Sequence, residues 1–467
     1  MMNIASDKNI VSESNLLKVF VSNSKINISD IPDFKEIYID NSHLNFLLQS
    51  WKNNIERDAV LLQRQSLSAL TDLPEDSLYC NLDKQDWRKA AQITEVFRNP
   101  LLCKNAGRLD LKILQRNIRK WIISSDEHLN LIIGWGQPKR SAGGIKSIGP
   151  YADLAELFSI CRLITITKAL ENIVGCNITL KVLTGGSRFF SALFTRLDIT
   201  NNYDMQRQAI ADFLDETKKI EFIPFVDEVD NSNNYLKLNS FNVKDISDEQ
   251  ILSKLKTIIL NIDWEHLFHP NVKCRYKKPN NIELPKSLDK WLQENSIENI
   301  RKFIRISVCF LITNNYYNGL NENHEENSIL DDMISFIHDV SWESTKNYIA
   351  IHDLSDLNDE NLVYDNNFRL TVHEKKGLRS LPAILTLGIN GGNQLSQHVV
   401  TYFNNKEAIF GAYAEFWDKD LFLIKLKKDC DYDLFDWLKE YEQPLFITSI
   451  SMDEVLPILN KASRVFN

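Results

Sequence analysis

Long hydrophobic runs are missing from this 467-residue chain. Its cleanest apolar stretches, such as Val308–Ile312, fall far short of the ~20 residues that span a bilayer. The opening residues, Met1-Met2-Asn3-Ile4-Ala5-Ser6-Asp7-Lys8, lack the basic-then-apolar order of a secretory leader, so a cytoplasmic protein is expected. Cysteine is sparse and unpatterned: Cys80, Cys103, Cys161, Cys176, Cys274, Cys309 and Cys430 make an odd count of seven with no C-x-x-C pair. That excludes a zinc framework of the usual spacing and reads as reduced, buried thiols. Positive charge is in deficit, 54 Lys and Arg against 63 Asp and Glu, for a net charge of −9. Neither nucleic acid nor an anionic membrane is an expected partner on that balance.

The common catalytic signatures are also missing. There is no G-x-S-x-G, H-E-x-x-H or kinase motif. Lys146-Ser147 follows Ile145 where a Walker A loop needs glycine, and Gly134-x-Gly136 lacks the third glycine of a dinucleotide fingerprint. His373 and His398 have no partner at zinc-ligand spacing, and a lone histidine is more often structural.

What is present is an ordinary globular composition, 43% hydrophobic and 25% charged. Residues 1–125 read as a helical N-terminal region, with helical apolar spacing in Leu44–Trp51 and Ile113–Trp121. Residues 126–365 read as a Rossmann-like α/β core with a helical insertion. Its strands are Leu129–Trp135, Ile178–Leu183 and Ile220–Phe225, alternating with a helix from Pro150 to about Val174 and another over Asp204–Glu216. Strands that alternate with helices in this way predict a parallel sheet flanked by helices. Further helices are expected at about 247–260, 297–318 and 327–341. Residues 366–467 read as a β-rich C-terminal part that completes the site, with strands at Phe368–His373, Ala383–Leu387, His398–Phe403, Ala408–Phe416 and Leu421–Leu426.

In such a sheet, ligands bind where strands exit at their carboxyl ends. The first strand exits into a glycine-rich loop carrying Lys139, Arg140 and Lys146 beside a helix start. That grouping suits a phosphate or carboxylate, and its alternative is a solvated basic loop. The second strand exits into Thr184-Gly185-Gly186-Ser187-Arg188. Paired glycines there allow close backbone approach, and Arg188 can grip an oxyanion in bidentate fashion; a tight turn with a surface arginine is the alternative. After the third strand, Asp227 and Glu228 are candidate bases toward an amine, or plain loop acids.

Three separated segments together resemble the pyoverdine/dityrosine biosynthesis family, which includes the isonitrile synthases. The run Gln137-Pro138-Lys139, then Lys146-Ser147-Ile148-Gly149-Pro150-Tyr151-Ala152-Asp153-Leu154-Ala155-Glu156, is similar to that family's Pro-x-Lys segment, second lysine and Gly-x-x-Pro-Asp-x-Ala-Glu helix start. Gly186-Ser187-Arg188-Phe189-Phe190 resembles its Asp-Gly-Arg-Val-Phe turn, with Gly185 near the position of the acid. Arg369-Leu370-Thr371-Val372-His373 resembles its Arg-Leu-Ser-x-His, and Arg379 and Gln397-His398 stand where it carries a basic residue and a Trp-His pair. The similarity covers about 129–228 and 366–403.

The resemblance implies an α/β enzyme with neither metal nor organic cofactor. Isonitrile synthases condense an amino acid's amine with the ketone of ribulose 5-phosphate. Carbon–carbon cleavage and phosphate loss then leave one sugar carbon on nitrogen, while a yeast branch makes N-formyl tyrosine. Carried over, it assigns Lys139, Lys146 and Arg188 to anion binding and His373 and His398 to proton transfer or orientation; together with the loop readings, the candidate set is Lys139, Arg140, Lys146, Gly185, Gly186, Arg188, Arg369 and Arg379 for substrate binding and His373, His398, Asp227 and Glu228 for catalysis. The resemblance also makes an Fe(II)/2-oxoglutarate oxygenase the expected functional partner. The competing readings are an N-formyl or N-acyl amino acid transferase of the same family and a non-catalytic binder of a sugar phosphate or amino acid.

Overall fold

The computed structural model describes residues 34–71, 84–135, 139, 147–149, 151–184, 197–224, 362–364, 366–374, 378–387, 395–416, 419–440 and 443–462. The first described element is strand β1 (Lys35–Ile39), followed by helices α1 (Asn41–Thr71), α2 (Gln85–Arg98) and α3 (Leu111–Ile122). Strand β2 (His128–Gly134), helix α4 (Leu154–Val174), strand β3 (Asn177–Thr184), helix α5 (Leu197–Leu214) and strand β4 (Ile220–Pro224) then alternate. The rest is short strands and turns: β5 (Val363–Tyr364), β6 (Asn367–Leu370), β7 (Val400–Phe403), β8 (Ala408–Gly411), β9 (Phe422–Leu426) and β10 (Phe446–Thr448), with helices α6 (Trp437–Glu440) and α7 (Met452–Ala462).

The alternating β-α units form one five-stranded sheet of order β4-β3-β2-β6-β5. Its β4, β3, β2 and β6 run parallel, and β5 closes the edge antiparallel to β6. The protein is therefore α/β, with a parallel sheet flanked by helices, a helical N-terminal region and a strand-rich C-terminal part. On one sheet face Leu129, Leu131 and Ile133 align with Ile178, Leu180 and Val182 and are buried. Phe368, paired with Leu131, packs there on Phe97 of α2 and Trp121 of α3. Alternation puts Arg369, Ile132, Lys181 and Glu221 in one row on the opposite face.

The second sheet has order β1-β9-β10-β7-β8 and mixes parallel and antiparallel pairs. Helix α4 contacts both sheets through β3 and β7, and also α1, α2 and α5. This accounts for its composition. A helix with neighbours on all sides is apolar on all sides, and Leu154, Leu157, Ile160, Leu163, Ile164, Leu170 and Ile173 are all buried. Each such side chain contributes roughly 1.5–3 kcal/mol by leaving water. The helix ends at Gly175, whose φ of 80° is the left-handed cap that a side chain would strain.

Several expectations shift by a few residues. Helix α5 starts at Leu197, ahead of Asp204. The β-strand expected at Ala383–Leu387 is reduced to isolated bridges, Cys103 with Ile384 and Thr371 with Ala383, because the segment leaves one neighbour for another within two residues. His398 falls in a 3-10 turn, Ser396–His398, ahead of β7. Tyr413–Phe416 is likewise a 3-10 turn rather than a continuation of β8. The helices expected at 247–260, 297–318 and 327–341 lie outside the described residues. Among those described, no helix is long and apolar enough to cross a membrane.

Candidate functional site

Because β4, β3, β2 and β6 are parallel, their carboxyl ends share one edge of the sheet. The chain leaving β2 there is held by aromatic and cationic contacts. Trp135 is buried and its Nε1 donates to Gln397 Oε1 at 2.6 Å. Arg207 of α5 donates from Nη1 to the Trp135 carbonyl at 3.1 Å, is ion-paired to Asp204, and lies over the rings of Trp135, Tyr203 and Phe222 at 5.2, 4.6 and 4.6 Å. Stacking of a desolvated guanidinium on rings adds about 0.5–2 kcal/mol per ring.

Beyond Trp135 lies Lys139, with no exposed side-chain surface. Its Nζ stands 2.6 Å from Asp153 Oδ1 and 2.9 Å from Glu156 Oε2, and it donates to the Ser396 carbonyl at 3.4 Å. Asp153 is the N-cap of α4 and Glu156 its third residue. Asp153 Oδ1 accepts from Ala155 N, and Glu156 Oε2 accepts from Asp153 N, both at 2.9 Å. This is a capping box with a lysine set into it. Tyr203 of α5 completes the group, donating from its hydroxyl to Glu156 Oε1 at 2.8 Å.

Burial alone would lower the Lys139 pKa, but the two carboxylates hold it above its ordinary value. Burial, together with the charge of Glu156, pushes the Asp153 carboxyl well above the usual range against the pull of Lys139. Glu156 is held below its ordinary value: burial opposes this, but Lys139's charge and the donors from Asp153, Lys139 and Tyr203 prevail. Burial and the neighbouring Glu156 carboxylate raise the Tyr203 hydroxyl well above its usual value. One ammonium and one carboxylate thus neutralise each other, and Asp153 is the acid that gives up its proton last.

The lead-in to α4 is equally fixed. Gln443 clamps Tyr151 from both sides, accepting from its N at 3.1 Å and donating to its O at 2.9 Å. Ala152 N donates to Gln206 at 2.9 Å and its carbonyl accepts from Trp437 Nε1 at 2.8 Å.

Of the residues singled out from sequence, Lys139 and the turn that carries His398 are brought together here. All three N–H groups of Lys139 are taken up internally, so it organises the loop rather than presenting a bare ammonium. Arg369 lies on β6 beside Ile132 of β2. Burial lowers its pKa to about 10, and it has no ion pair or side-chain hydrogen bond among the described residues. His373 follows β6 and is exposed; its backbone N donates to Thr371 Oγ1 at 3.2 Å. Arg379 is exposed, and its carbonyl accepts from Asp110 N at 2.6 Å. Arg140, Lys146, Gly185, Gly186, Arg188, Asp227 and Glu228 lie outside the described residues.

Sequence reasoning missed Tyr203, Arg207 and Gln397's bond to Trp135. Only the fold brings these to the β2 exit, and no local motif announces them. Among the described residues, no group of three or more His, Cys, Asp or Glu is placed to hold a metal ion.

No protein-family model matches the chain, and no curated protein matches it. Among solved structures, the chain is similar to the PvcA protein from Pseudomonas aeruginosa. The two share 11% identity with a TM-score of 0.45, over 77% of this chain and 99% of that one.

Proposed function

We propose that the protein is an isonitrile synthase-like biosynthetic enzyme that condenses an amino acid's α-amine with the ketone of ribulose 5-phosphate. One observation carries the reading. Two of the segments behind the family resemblance, Lys139 with Asp153 and Glu156, and the turn of Gln397-His398, stand far apart in sequence. They meet at one strand exit, where Lys139 donates to Ser396 across 257 positions and Trp135 to Gln397 across 262. Their meeting at one place supports a common site better than it supports a solvated basic loop.

In this reading the amine nitrogen attacks the ketone carbon, one proton passes from nitrogen to oxygen, and water leaves to give an imine. His373, His398, Asp227 and Glu228 are the proposed proton carriers. Arg140, Lys146, Arg188, Arg369 and Arg379, with the Gly185-Gly186 backbone, are the proposed holders of phosphate and carboxylate. Lys139 enters as a positioning residue for the loop. No cofactor is assigned, and an Fe(II)/2-oxoglutarate oxygenase is the proposed consumer of the product.

The test is turnover. Purified protein is incubated with ribulose 5-phosphate and, in turn, tyrosine and tryptophan, and phosphate release and product mass are followed. Amino-acid-dependent phosphate release with an isonitrile mass is the expected result. A formamide mass would move the protein to the N-formyl transferase reading, and binding without phosphate release would make it a non-catalytic binder.

A further inference from the structure

Helix α4 carries one arginine, which nothing in the site above uses. Arg162 is 6% exposed, and its Nε and Nη2 have no hydrogen-bond partner. No carboxylate pairs with it among the described residues. Its titratable neighbours are the thiols of Cys103 and Cys161, and burial raises both thiols well above their ordinary value, so they stay neutral. Burial lowers the Arg162 pKa to about 10, which still leaves it a cation at neutral pH. An ionised group shut from water without a counter-charge is strongly destabilising, and Arg207, which is also buried, has its Asp204.

The surroundings of Arg162 share the same deficit. Ala155, Ser159 and Arg162 stand at i, i+4 and i+7, one stripe of the helix. Ala155 packs on Leu387, Val399 and Phe410, so the stripe faces the segments leading into β7. Cys103, near the guanidinium, bridges to Ile384, and Leu385 N donates to Leu102 O at 2.7 Å; Thr386 is the next residue along this segment. The turn of Ser396 packs on α4 as well, as does β7, which carries Thr401. The hydroxyls of Ser159, Thr386, Ser396 and Thr401 are all buried and all lack a partner. The segments packed against α4 therefore carry buried hydroxyls without partners, Ser159 and Arg162 on the helix itself carry unpartnered polar groups too, and no carboxylate among the described residues pairs with the guanidinium. Ser396 also adjoins the Lys139 group, since its carbonyl accepts from Lys139.

We infer that Arg162, with Ser159, Thr386 and Ser396, forms a buried subsite for the carboxylate of an α-amino acid. A planar guanidinium matches a carboxylate in bidentate geometry, and hydroxyls can donate to its remaining lone pairs. One cation among neutral donors balances a monoanion and leaves a phosphate dianion undercharged. The assignment rests on the amino-acid half of the proposed function, and separates it from the phosphate half.

Thermal unfolding of the full-length protein tests the inference with each of the standard amino acids, tyramine, tryptamine and inorganic phosphate as probes. At least one amino acid is expected to raise the wild-type Tm, while the matching amine, which lacks only the carboxylate, and phosphate do not. Arg162→Met is expected to unfold at a higher temperature than wild type without ligand, because it removes an uncompensated buried charge, and to lose the amino-acid shift. Arg162→Lys should keep the charge and bind at least ~10-fold more weakly, for want of the bidentate pair. An amino-acid shift that survives in Arg162→Met would overturn the inference, as would the absence of any shift in wild type. If unliganded Arg162→Met is instead less stable than wild type, the arginine is structural and the subsite is refuted. Carboxylate binding through Arg162 without phosphate release from ribulose 5-phosphate would uphold the subsite and end the condensation reading, and phosphate release unaffected in Arg162→Met would do the reverse.

Discussion

A lysine shut away from water needs a counter-charge beside it, and Lys139 has the Glu156 carboxylate, with Asp153 as a second partner. Removing one partner of a buried ion pair costs about 3–5 kcal/mol, because the survivor stays charged in a poor solvent. Lys139→Met is expected to lose that much at neutral pH, read from urea unfolding. The gap to wild type should narrow on acidification. In wild type Glu156 titrates below its ordinary 4.5, so its contribution is present above that value and fades as pH falls. In the variant both carboxyls are raised by burial, so the variant recovers stability at low pH. A gap that stays constant from neutral pH to below 4.5 would show that Lys139 acts by packing alone. The residues of this cluster were half legible. Asp153 and Glu156 announce a helix start by their spacing alone. Their lysine was visible as a cation on the right loop, but its burial was not, because the enclosing Tyr203 and Ser396 come from distant segments.

Helix α4 was the most legible element, since its apolar run and Gly175 agree with one another, although its start, read at Pro150, lies at Leu154 behind the Asp153 cap. The segment before it was not, because the clamp on Tyr151 comes from Gln443, across 292 positions. Gly149 is small for that reason. A Cβ there would overlap the Cγ, Cδ and Oε1 of Gln443. Gly149→Ala is expected to cost about 1–3 kcal/mol, through displacement of a buried amide with two hydrogen bonds, and the chevron's unfolding arm would show it. Pairing with Gln443→Ala should recover part of the loss, and strict additivity of the two would place the clash elsewhere. The Ala383–Leu387 segment misled for the opposite reason. Its apolar run reads as a strand, but Pro382 precedes it and its neighbours change along its length, so no ladder forms.

At the scale of the whole molecule, the least legible feature was β1. Its five residues, Lys-Glu-Ile-Tyr-Ile, lie in a region that reads as helical, and they pair in parallel with β9 near the other end of the chain. Local periodicity carries no trace of such a partner. The helical N-terminal region therefore contributes a strand to the C-terminal sheet, and one continuous core includes Ile39, Trp51, Leu131, Ile164, Phe403, Ile424 and Phe446. Shared packing of this kind predicts one cooperative unfolding transition for the described body. Calorimetry should give a single peak with van't Hoff and calorimetric enthalpies in agreement among its main components, and two resolved peaks, one for each sheet, would refute it.

The pairing of β1 with β9 sets an order on biosynthesis. A nascent chain carries Lys35–Ile39 without its neighbour until Leu426 has left the ribosome, and Tyr151 waits for Gln443. The loop around Lys139 cannot be fully clamped before Gln443 has emerged, so a product cut short ahead of that residue would retain helices yet lack the clamp on Tyr151.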